Sequence, residues 1–170
     1  MNAAHLHLLI NHIPIFGVLF GMIAMAWSLL NQSRDMRLAA ALLFMLSGIF
    51  SWIALETGEG AEEQVEHLPG VSESIIHDHE EAAEAANVAI LILAGGSLFL
   101  LASSRFRPQW DRPIRMALVV GALVTSGLLA RTAYLGGQIR HTEIRSSQGT
   151  AQATESAGEN ENTEEAEDRD

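Results

Sequence analysis

The chain contains no cysteine. Disulfides, thiolate metal sites, iron–sulfur clusters and covalently attached c-type haem are therefore excluded. It also lacks lysine, so all ten basic residues are arginine. Against 21 acids they leave a formal charge of −11. Nucleic acid is a poor partner for such a chain, because it needs a basic footprint. No stretch alternates as a strand does, so no glycine-rich phosphate loop follows one. No HExxH occurs, since His79-Glu80-Glu81 lacks a second histidine at the required spacing. No Ser–His–Asp arrangement is legible either, and no reaction class can be assigned.

Long apolar runs are present instead. Leu8–Leu30, Leu38–Leu55, Ala82–Ser104 and Ile114–Leu135 are apolar all round, broken mainly by Gly, Ser and Thr. Each has enough residues to cross a hydrocarbon core of about 30 Å at about 1.5 Å per helical residue. A soluble domain of this size would carry amphipathic helices with polar faces. The pattern predicts an all-α fold, a four-helix transmembrane bundle over residues 1–145. The Ser-, Gln- and acid-rich stretch 146–170 cannot bury apolar area and is expected to be a disordered tail. Ala24-Met25-Ala26 only weakly resembles a signal-peptide cleavage site, and no Arg or Lys precedes it, so the first run is read as a span.

Arginine sets the orientation. Arg34 and Arg37 sit between spans one and two, and Arg105, Arg107 and Arg112 between spans three and four, with Arg115 just inside the fourth. The segment Glu56–Glu81 has none. The positive-inside rule places both short loops in the cytoplasm. Both termini and the long acidic segment then face out, toward the periplasm of a bacterial inner membrane. Arg140 and Arg145 oppose this and are outnumbered.

All seven histidines lie on that outer side: His5, His7, His12, His67, His77, His79 and His141. Imidazole is a common ligand of haem iron and transition metals. His5 and His12 are two turns apart and share a helix face, whereas His7 points elsewhere. Pro14 favours a kink near His12. His12, about 12 Å along its helix, is the deepest imidazole. The expected site is a haem b bound by His12 and His79, with His141 as the alternative ligand and Arg131 and Arg140 near the propionates. Such a protein would pass electrons within the bilayer, as one subunit of a larger complex.

A second reading is a metal-handling or metal-sensing membrane protein that uses His77, His79, Glu80, Glu81 and Glu84 with His67 to hold iron, zinc or copper; His77, Glu80, Glu81 and Glu84 follow an i, i+3, i+4, i+7 pattern, and His5 would hold a second metal. A third is a non-catalytic assembly subunit. In that case His12 forms only a helix–helix hydrogen bond, Arg131 pairs with Glu56, and the acidic helix face is simply solvated.

Three pieces carry a family resemblance: His7-Leu-Leu-Ile-Asn11-His12-Ile-Pro14, His79-Glu80-Glu81 leading into an Ala-rich span, and Gly136-Gly137 followed by His141. Together they resemble the DUF2231 family of bacterial four-span membrane proteins, over Met1 to about Ile144. The resemblance implies a four-helix bundle with His12, His79 and His141 as the positions to watch. It also implies a tie to respiratory or cytochrome-related membrane complexes. It carries no established activity.

Overall fold

The computed structural model describes residues 2–145. The tail from Ser146 lies outside the described residues. Every described element is helical. Helix α1 (Ala3–Ile10) runs almost directly into α2 (His12–Asn31). Helices α3 (Arg34–Val65), α4 (Glu73–Phe106) and α5 (Asp111–Arg140) follow, with short 3-10 turns at Pro108–Trp110 and Thr142–Ile144. The four long rods are each long and apolar enough to cross a membrane.

The break between α1 and α2 falls at Asn11. Pro14 has no N–H for the Ile10 carbonyl, so the helical ladder is interrupted one turn before it. Helix α2 packs on α3 and α5, and α4 packs on the same two helices. The rods thus form a closed ring in which α2 and α4 stand diagonally opposite, as do α3 and α5. Helix α1 lies along α3.

The bundle is apolar outside as well as inside. Phe20, Ile23, Ile92, Val120 and Leu123 are exposed, as lipid-facing side chains are. The interior holds Val18, Met25, Phe44, Ile90, Leu93 and Leu100, interleaved with small residues. Gly21 shows why small residues matter: a Cβ there would meet the Phe44 ring at 2.7 Å. Lipid is as apolar as the core, so close packing rather than water exclusion holds these helices together. One buried polar link joins α3 to α4, with Ser51 Oγ donating to Asn87 Oδ1 at 2.7 Å.

At the arginine end, Asp111 opens α5 and is gripped from two sides. Arg37 of α3 reaches it across the diagonal, and Arg115 Nη2 lies 2.7 Å from Oδ2. Arg115 also donates to the Ser28 carbonyl at 2.7 Å and to Gln32 Oε1 at 3.1 Å. At the histidine end, the chain after α5 folds back. Buried Arg145 donates to the carbonyls of Gln138 at 2.7 Å, Ile139 at 2.9 Å and Gly70 at 2.6 Å.

Two helices run beyond their apolar stretches. Helix α3 does not stop near Leu55; it continues through Gly58 and Gly60 to Val65. Helix α5 does not stop at Leu135; it continues through Gly136 and Gly137 to Arg140. A mid-helix glycine costs about 1 kcal/mol relative to alanine. At Gly136 that cost is accepted because a Cβ would meet the His79 ring at 2.9 Å, whereas at Gly58 the His7 ring leaves room for one.

Candidate functional site

The histidine end gathers the first turns of α1 and α4 with the last turns of α3 and α5. Residues two apart on a helix point about 200° from each other. In the doublet His5-x-His7, His5 is therefore exposed while His7 turns half-buried toward α3. In His77-x-His79, His77 is exposed and His79 turns half-buried toward α5.

The two inward rings dock alike. His7 Nδ1 lies 2.9 Å from the Ala54 carbonyl of α3, and Gly58, one turn further on, faces the same ring. His79 Nδ1 lies 2.9 Å from the Thr132 carbonyl of α5, and Gly136, again one turn further on, faces that ring. A carbonyl oxygen only accepts, so each Nδ1 carries the proton. Each neutral ring therefore keeps its lone pair on Nε2. Thr57 Oγ1 adds a longer contact to His7 Nδ1 at 3.4 Å. His7 and His79 come from diagonally opposite rods. The helix pairs α1–α3 and α4–α5 thus present one imidazole each in equivalent settings.

Nδ1–H tied to a backbone carbonyl, with Nε2 left as the donor atom, is the usual preparation of a metal-binding histidine. Two such donors are too few for the four-ligand set of a structural zinc site. They are enough for iron already held by a macrocycle, which needs only its axial ligands from the protein. Gly58 and Gly136 give both rings room between helices. In their donor chemistry these residues fit a haem b.

The other residues singled out in the sequence are placed differently. His5 and His12 are both exposed. The His12 Nδ1 bonds the Leu8 carbonyl of its own rod at 3.1 Å, and the residue heads an open apolar groove with Phe16, Phe20 and Phe50. His141, expected as the alternative ligand, is exposed and pairs with Glu143 at 2.8 Å. Hydrogen bonds from its own N–H and from His141 hold the Glu143 carboxyl below the usual range. Arg145, not His141, folds back over the end of α5. Arg131 and Arg140 are exposed at the histidine end, and no ion pair joins Arg131 to Glu56 among the described residues.

The His77 face is divided. His77 pairs with Glu81 at 3.5 Å on the surface, and Glu84 is exposed, while Glu80 turns toward Glu62 of α3. His67 is solvated beside Glu66 at 3.3 Å. Among the described residues no three His, Asp or Glu side chains gather closely enough to hold a metal ion.

His7 is the residue that sequence reasoning passed over. Its signal was the repeated His-x-His doublet, once near the start of α1 and once near the start of α4, with a glycine near the end of the long helix that follows. No family model, curated protein or solved structure matches this chain.

Proposed function

We propose that this integral membrane protein binds haem b through His7 and His79 and serves electron transfer in a bacterial inner membrane. The observation that carries the reading is the paired docking of the two rings. Each Nδ1–H is fixed on a carbonyl of a neighbouring helix, and each Nε2 is left as a lone-pair donor. When bound, the haem would supply one-electron chemistry. The chain's own residues orient the imidazoles, hold their tautomers and surround them with packed helices. Exposed Arg131 and Arg140 at the same end are available to carboxylates of the macrocycle. The arginine distribution supports placing this end outside, with both termini on the periplasmic side. Other respiratory or cytochrome subunits are the natural electron partners for so small a bundle.

The decisive experiment is the optical spectrum of the purified full chain. The expected result is a Soret band that His7→Ala or His79→Ala abolishes and His12→Ala preserves. A colourless protein after expression with adequate haem would overturn the reading, as would loss of the band only in His12→Ala.

A further inference from the structure

The opposite end of the bundle carries an unbalanced charge cluster independent of any cofactor. Two guanidinium groups, Arg37 and Arg115, share the single carboxylate of Asp111. The Arg115 side chain is 5% exposed and Arg37 19%. The Nε atoms of both are buried with no hydrogen-bond partner among the described residues. Arg37 and Arg115 also belong to the opening turns of α3 and α5, where partial positive charge from the helix N-termini adds to theirs. Exposed Arg34 and Arg112 flank the cluster. Residues 32–37 and 104–115 together hold six arginines and two aspartates. The cluster thus lacks an acceptor and an anion.

We infer that this end binds the phosphate of an anionic phospholipid headgroup, with Arg37 as the principal contact and Arg34 and Arg112 as flanking charges. The bilayer itself argues for lipid as the source. Trp27, Leu30, Phe106 and Trp110 are exposed around the same end, at the level where side chains anchor in the headgroup region. Acyl chains descending along the apolar rods would place a headgroup beside Arg37. Anionic lipids are also abundant on the leaflet that basic loops face.

The test is native mass spectrometry of the full chain in non-ionic detergent, with phosphatidylglycerol or phosphatidylcholine added. Phosphatidylglycerol should be retained at least about fivefold better, and Arg37→Gln should lower its retention about fivefold, the worth of one arginine at a membrane surface. Retention should weaken with added salt. Arg140→Gln, at the histidine end, should leave retention unchanged. Equal retention of the two lipids would overturn the inference, as would full retention in Arg37→Gln. Millimolar inorganic phosphate that displaces the lipid would also overturn it, in favour of a free-anion site. Should Arg37→Gln fail to fold, Arg112→Gln decides the matter. It lies outside the ion-paired triad, so a loss of lipid supports the inference and no change overturns it.

Discussion

Gly136 of α5 faces the His79 ring of α4; a Cβ at this glycine would sit 2.9 Å from Cε1 and 3.2 Å from Nδ1. Gly58 holds the matching place under His7 with more room, its Cβ falling 3.8 Å from Cε1. The two glycines should therefore respond differently to the same substitution. Gly136→Ala forces the ring or the helix to shift, and overpacking of this kind costs about 1–3 kcal/mol. Gly58→Ala makes an ordinary contact and gains about 1 kcal/mol of helix propensity. In thermal unfolding, Gly136→Ala should melt below the wild type and Gly58→Ala at or above it. Equal destabilisation by both would contradict the packing described.

Arg115 should be the costliest single residue at the arginine end. Its truncation strips a buried partner from Asp111 and leaves the Ser28 carbonyl and Gln32 without their donor. Removing one member of a buried pair costs about 3–5 kcal/mol. Arg115→Met keeps much of the apolar stem, so the measured loss reports the charge. Arg37→Met should cost less, because Arg37 is the more exposed side chain and Arg115 still holds Asp111. Chemical or thermal unfolding in detergent gives the ranking, and the reverse order would sink the argument.

The fold was legible from hydropathy alone, because lipid-facing helices have no polar side to disguise them. The four rods fall where the apolar runs lie, and the Pro14 break falls one turn upstream, at Asn11. Helix ends were less legible. Helix α3 ends at Val65, ahead of Pro69-Gly70, where Gly70 takes φ 79°. Gly58, Gly60, Gly136 and Gly137 look the same in sequence but stay inside helices; at Gly60 and Gly136 a neighbouring side chain sits close to where a Cβ would point. The site was half legible. Spacing alone put His5 and His12 on one face and His7 on another. It could not say which face turns inward, because a helix apolar all round has no marked inner side. His79 was recognised, whereas His7 became apparent only once α1 was seen lying on α3.

Ser51 and Asn87 offer a modest test of how much polar contacts hold this bundle. Their 2.7 Å hydrogen bond joins α3 to α4 where both residues are buried. Interhelical bonds of this kind within a membrane are worth about 0.6 kcal/mol on average. Ser51→Ala should therefore lower stability by roughly that amount and leave the helical content unchanged. A double-mutant cycle with Asn87→Ala would isolate the pair's coupling. A coupling near zero would mean that Asn87 finds an equally good partner elsewhere.

The equivalence of His7 and His79 yields the sharpest prediction, because it separates a shared site from two unrelated buried histidines. Two residues that hold one ligand act as a unit, so their effects are strongly non-additive. His7→Ala should abolish bound haem or metal as completely as His79→Ala, and the double variant should lose nothing further. Stability in the apo protein should behave in the opposite way. Each ring there makes its own carbonyl bond on a different helix, at Ala54 or Thr132, so the losses should be independent and add. Their exposed neighbours His5 and His77 share the same two helical turns, and alanine at either should change neither readout. If one single variant keeps its cofactor while the other loses it, the two docked rings do not share a ligand. The resemblance of their settings would then reflect only a repeated way of packing an imidazole against a glycine.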